Sequence, residues 1–126
     1  MGIIGTGIDV IDIHRIEALI EKKGDRFLNR VFTEKEIEYC SAKADSAACF
    51  AARFAAKEAF YKACGNLRMK PFALKEIEVA NRPDGKPDLK PGKSLQKRLE
   101  KKSIRAVHLS ITHTRITTAA LVIIEK

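Results

Sequence analysis

The sequence predicts one α+β domain, with helices packed against a small, mostly antiparallel sheet. Three observations carry this. Apolar residues recur at helical spacing in Ile13, Ile16, Leu19 and Ile20, and again through Phe50, Phe54 and Phe60. Residues 107–111 alternate apolar and polar, and residues 119–124 are almost wholly apolar, as two strands would be. Turn-forming residues punctuate the strands, as in Asn81-Arg82-Pro83-Asp84-Gly85-Lys86-Pro87. A length of 126 residues, 45% hydrophobic and 32% charged, suits a single core spanning residues 1–126 and argues against a disordered chain.

In chain order, residues 3–10 read as a first strand, in which Gly5 and Gly7 weaken the strand or let another group approach its backbone. From Asp12 a helix should run to near Gly24. Thr33 followed by Glu36 has the form of a capping box, so a helix should begin there. Ser46 or a neighbour opens the longest helix, which continues to Cys64 and stops at Gly65. Residues 74–80 alternate around Ile77 and Val79 as a half-buried strand, and residues 81–87 form a turn after it. Residues 94–102 read as a short basic helix. His113-Thr114-Arg115 joins the last two strands as an antiparallel hairpin.

No apolar run approaches the ~20 residues of a membrane-spanning helix. The first residues have no basic lead-in and reach an acid at Asp9, so no signal peptide is expected. Cys40, Cys49 and Cys64 are odd in number and form no C-x-x-C pair. With neither a metal knuckle nor a disulfide framework in view, a cytoplasmic location is expected. The net charge of +8 favours anionic partners. Residues 86–105 hold eight bases against two acids, read either as a solvated helix and its flanks or as an anion-binding surface. Tryptophan is absent and aromatics are 6%, so platforms for stacking bases are scarce.

Several residues could carry chemistry. Asp9 lies where the first strand gives way to a helix, as a cap or as a ligand. Gly5-Thr6-Gly7 is not a dinucleotide fingerprint, because Val10 occupies the third glycine's place. In Arg53-Phe54-Ala55-Ala56-Lys57-Glu58-Ala59-Phe60-Tyr61-Lys62, Arg53 and Lys57 share one helix face, and Glu58 and Lys62 share another. These are either surface pairs or a site, and four charges within an otherwise apolar helix need partners or a metal. Thr112 and His113 stand where a strand enters a turn, either as structural groups or as donors to phosphate. The Gly85-Lys86-Pro87 turn also permits close approach of a nucleotide.

In order, these segments resemble the holo-acyl-carrier-protein synthases, small 4′-phosphopantetheinyl transferases of bacterial fatty-acid synthesis. The matches are Gly5-Thr6-Gly7-Ile8-Asp9 with Arg15-Ile16, then Arg30-Val31-Phe32-Thr33 with Glu36. Arg53-Phe54-Ala55-Ala56-Lys57-Glu58-Ala59 with Lys62-Ala63 follows, then Glu76-Ile77-Glu78-Val79, Gly85-Lys86-Pro87 and Ser110-Ile111-Thr112-His113-Thr114. One segment departs from the family pattern: Gly65-Asn66-Leu67-Arg68-Met69-Lys70-Pro71 stands where a Gly-rich loop is usual.

The resemblance implies transfer of 4′-phosphopantetheine from coenzyme A to a serine of an apo acyl carrier protein, leaving adenosine 3′,5′-bisphosphate. It implies Mg²⁺ held by Asp9 and Glu58, with Lys57 and Lys62 as cations for the pyrophosphate and Lys62 as a proton donor to the leaving group. The base is left open between Glu58 and a coordinated water. Arg53, Gly85, Lys86, Pro87, Thr112 and His113 would line the site for the adenosine and 3′-phosphate. A homotrimer with active sites between subunits is implied, with Arg15 and Arg26 meeting the acidic carrier protein. The rival reading is a basic nucleic-acid-binding domain, which leaves Asp9 and Glu58 unexplained; neither nucleic acid nor membrane is expected as a partner.

Overall fold

The computed structural model describes residues 2–126 and has the expected α+β architecture. Strand β1 (Ile3–Asp12) leads directly into α1 (Ile13–Lys23), followed by α2 (Asp25–Val31), α3 (Glu34–Ser41) and α4 (Ser46–Ala63). The hairpin β2 (Ile77–Asn81) and β3 (Pro87–Pro91), helix α5 (Lys93–Lys101), and strands β4 (Ala106–His113) and β5 (Thr117–Glu125) complete the chain. The main sheet is antiparallel in the order β1-β5-β4, and β2-β3 is a separate antiparallel pair.

Helix α4 covers one face of the main sheet. It is apolar nearly all round, burying Phe50, Ala51, Ala55, Ala56, Ala59 and Phe60. The alanines keep it close to the sheet, and the core continues into Ile16 of α1, Ile77 of β2 and Val122 and Ile124 of β5. The opposite sheet face is uncovered in the single chain, leaving Ile8 and Val10 each 62% exposed and Leu121 39% exposed. Ile8 and Leu121 are register partners.

The capping box at Thr33 is present: Glu36 N donates to Thr33 Oγ1, and Thr33 N donates to Glu36 Oε1 at 2.8 Å. Other expectations are corrected. Helix α2 has no counterpart in the sequence reading, because its seven residues bury only Phe27 and Val31, too little to show a period. Residues 74–76 form a 3₁₀ turn before β2, bent by Ala73 N donating to Glu76 Oε2 and Glu76 N donating to Ala73 O. Cys40 and Cys49 form a disulfide with Cα atoms 5.4 Å apart, so the expectation of no disulfide fails. The short 42–45 connection folds α3 back beside the first turn of α4, a proximity that cysteine spacing does not encode. Among the described residues no helix is long and apolar enough to cross a membrane.

Candidate active site

Two glycines set the geometry. A Cβ on Gly5 would lie 2.1 Å from the Ala63 carbonyl oxygen, and one on Gly7 would lie 1.9 Å from that of Ala59. Only hydrogen at these positions lets β1 lie directly against the backbone of α4. Strand side chains alternate, so Asp9 projects to the same side as Gly5 and Gly7, toward the end of α4. There Lys62 Nζ meets Asp9 Oδ1 at 3.0 Å and donates to the Ile8 carbonyl at 3.1 Å. Glu58 stands one turn earlier on α4, and burial, then the nearby charge of Asp9, raises its pKa. Lys62 and Arg15 act in the opposite direction on Glu58. Asp9, Arg15, Glu58 and Lys62 therefore form one electrostatic cluster.

A cation between Asp9 and Glu58 would relieve their repulsion, so this donor set fits Mg²⁺. Among the described residues no group of three or more His, Cys, Asp or Glu could hold a metal ion. Two carboxylates still suit a hard cation that keeps waters and takes phosphate oxygens.

The other charged face of α4 has a different setting. Arg53 is 8% exposed; its Nη2 donates to Asn81 Oδ1 at 2.9 Å, and its guanidinium lies 4.5 Å over the Tyr39 ring. Asn81 Nδ2 in turn donates to the Gly85 carbonyl at 3.1 Å, linking Arg53 to the turn that carries Gly85, Lys86 and Pro87. Gly85 has φ +87°, a left-handed conformation that suits glycine.

Lys57, which the resemblance implies as a cation for the pyrophosphate, makes its contacts on the other side of α4, away from the Asp9 cluster. Its side chain is 0% exposed, with Nζ 2.5 Å from Glu36 Oε1 and 2.7 Å from the Val31 carbonyl. Glu36 Oε2 also accepts from Val79 N at 2.8 Å. The pair ties α3, α4 and β2 together inside the core.

Thr112 and His113 lie exposed at the end of edge strand β4. His113 shares an open cavity of about 490 Å³ with Ile13, Asp45, Ala48, Thr114 and Arg115, none of them in the Asp9 cluster. Arg15 projects from α1 and is exposed, while Arg26 lines a separate cavity with Leu19, Lys23, Phe27 and Arg30. One chain thus brings together Asp9, Glu58 and Lys62 with Arg15 beside them, and separately Arg53 with the Gly85 turn. It leaves His113 and Arg26 in cavities of their own.

Residues 5–120 match the model of the 4′-phosphopantetheinyl transferase superfamily. The chain belongs to that superfamily. A holo-[acyl-carrier-protein] synthase of Syntrophus aciditrophicus is 48% identical over 122 residues, covering 96% of this chain and 94% of the relative. The crystal structure of holo-[acyl-carrier-protein] synthase from Neisseria meningitidis superposes with a TM-score of 0.91 at 34% identity, covering 99% of this chain and 100% of that one. A Bacillus anthracis holo-(acyl-carrier-protein) synthase in complex with CoA (3′,5′-ADP) gives a TM-score of 0.77 at 35% identity, covering 97% and 96%.

The contacts of three residues of this phosphopantetheinyl transferase chain escaped the sequence reading. Glu36 is legible as a helix cap and as one of the residues that carry the resemblance, but not as the partner of Lys57. Tyr39 and Asn81 lie on different elements from Arg53, and no spacing along the chain relates them to it. Cys64 is buried, and that burial pushes its thiol pKa up to about 12, which leaves it unsuited to nucleophilic work.

Proposed function

We propose that this chain transfers 4′-phosphopantetheine from coenzyme A to a serine hydroxyl of an apo acyl carrier protein, yielding the holo carrier and adenosine 3′,5′-bisphosphate. The observation that carries this reading is the pairing of Asp9 with Glu58 across the β1–α4 contact, with Lys62 at hydrogen-bond distance. In the reaction the serine oxygen bonds to the pantetheine-side phosphorus, and the bond from that phosphorus to the bridging pyrophosphate oxygen breaks. Glu58 accepts the serine proton. Lys62 faces the pyrophosphate and offsets or protonates the leaving oxygen. Asp9 and Glu58 hold Mg²⁺, which when bound supplies Lewis-acid polarisation of the phosphoryl oxygens. Arg53, Gly85, Lys86, Pro87, Thr112 and His113 bind the adenosine end.

A homotrimer is part of this reading, supported by the uncovered sheet face bearing Ile8, Val10 and Leu121. It is also supported by the separation, within one chain, of the His113 cavity from the Asp9 cluster. Residues 1–126 act as one domain, and the work is cytoplasmic, where coenzyme A and carrier proteins are found. Arg15 and Arg26 meet the acidic carrier.

Mass spectrometry of an apo carrier protein incubated with coenzyme A and Mg²⁺ should show one added phosphopantetheine, and Asp9→Ala should abolish the addition without unfolding the protein. No addition across several fatty-acid, polyketide and peptide-synthetase carriers would refute the reading. Steeply salt-dependent binding to DNA or RNA in that case would favour the nucleic-acid alternative.

A further inference from the structure

The Arg53 guanidinium is held at both terminal nitrogens and on its flat face. Nη2 donates to Asn81 Oδ1 at 2.9 Å, Nη1 lies 3.6 Å from Cys49 Sγ, and the plane rests over Tyr39 at 4.5 Å. Nε is buried and has no hydrogen-bond partner among the described residues. A buried donor without a partner is uncommon and points to a missing acceptor. The Nε–Nη2 edge of a guanidinium matches two oxygens of a phosphate group.

Beside the guanidinium lies a cavity. Arg53, Asn81, Tyr39, Lys35, Glu36 and Glu78 line its volume of about 210 Å³ between α3, α4 and β2. Both acids are engaged elsewhere: Glu36 by Lys57, Thr33 N and Val79 N, and Glu78 by the Thr33 hydroxyl at 2.5 Å. Neither neutralises Arg53 by a direct contact.

Asn81 has a second task. Its Nδ2 donates to the Gly85 carbonyl at 3.1 Å. The turn is closed independently, by Arg82 N donating to Lys86 O at 2.7 Å and Gly85 N donating to Arg82 O at 2.8 Å. The Asn81 amide therefore does not build the turn; it locks a preformed turn to Arg53.

We propose that Asn81 is a positioning residue: by bridging Arg53 and the Gly85 turn, it aims the guanidinium at the 3′-phosphate of coenzyme A and sets the preference for that nucleotide over its 3′-dephospho form. This rests on the reading above that Arg53 and the Gly85 turn meet the adenosine end.

Calorimetric titration of coenzyme A and 3′-dephospho-coenzyme A, without any carrier protein, tests it. A hydrogen bond to a charged group supports a preference of about tenfold or more for coenzyme A in the unaltered protein. Asn81→Ala should bring that ratio close to unity, weakening dephospho-coenzyme A by less than about threefold. Asn81→Ser, too short to bridge, should do the same, and both variants should remain folded, with melting lowered by no more than the loss of one hydrogen bond to the buried guanidinium explains. The double variant with Arg53→Gln should lose no more than Arg53→Gln alone, since Asn81 acts through Arg53. An unaltered protein with no preference, an Asn81→Ala protein that keeps it, equal weakening of both nucleotides, or additive losses would each overturn the inference. Binding is read apart from transfer, so a carrier that stays unmodified refutes the catalytic reading without altering this ratio.

Discussion

Lys57 and Glu58 are neighbours in sequence with opposite fates. Lys57 is sealed in the core against Glu36, and burial lowers its pKa while the Glu36 charge raises it. Removing one member of such a pair strands the other charge away from water, so Lys57→Ala should destabilise the protein by about 3–5 kcal/mol. Chemical denaturation checks this, and a Glu36→Gln/Lys57→Met double variant should recover much of the loss. Glu58 is only partly buried, and its folded-state pKa lies above the ordinary carboxylate value. Between those two values the folded protein binds more protons than the unfolded chain, so its contribution to stability falls as pH rises through that window. Without divalent cations, Glu58→Gln should therefore melt higher than the unaltered protein above the window and converge with it below. Added Mg²⁺ should raise the melting temperature of the unaltered protein at neutral pH and that of Glu58→Gln much less. Equal responses would remove Glu58 from the metal set.

The contact between β1 and α4 does the most to assemble the candidate site. Gly7 permits it, and a methyl group there would meet backbone oxygen rather than a side chain able to turn aside. Gly7→Ala should therefore destabilise by about 3 kcal/mol, the upper end of the overpacking range. Transfer activity should fall further than stability explains, because Asp9 would move away from Glu58. Gly65→Ala is the control: nothing lies within 4 Å of a Cβ there, and denaturation should show little change. A neutral Gly7→Ala would mean that β1 slides freely on α4. On the other side of α4, the Cys40–Cys49 disulfide fastens α3 beside Arg53, so the helix is held on two flanks by different means.

The protein as a whole is a cation with a net charge of +8, and an acidic carrier protein should be drawn to it by complementary fields. Arg15 stands at the edge of the Asp9 cluster, near enough to act on Glu58. Arg15→Glu should raise the KM for carrier protein by about tenfold and that for coenzyme A far less, with the difference shrinking as salt is added. Steady-state kinetics at two ionic strengths decide this. Equal effects on both substrates would place Arg15 among the residues that handle the nucleotide.

Much of this was legible in the chain itself. Helical and alternating periods predict all the longer elements, because the apolar face of each must be buried wherever it packs. Thr33 and Glu36 predict a helix start from contacts within four residues. Asp9, Glu58 and Lys62 were candidates from an ordered set of motifs, and Gly5 and Gly7 already hinted at a close backbone approach. Periodicity says which residues share a helix face, but not what covers that face. Arg53 and Lys57 share one by spacing, yet Glu36 and Val31 close over Lys57, while Arg53, held by Tyr39 and Asn81, lines a cavity. The Cys40–Cys49 bond and the Asn81 bridge likewise join elements whose neighbourhood arises only when α3 and β2 pack against α4. Such contacts depend on packing that local sequence does not encode, so tertiary structure alone separated the lysine that holds the core from the arginine beside the cavity.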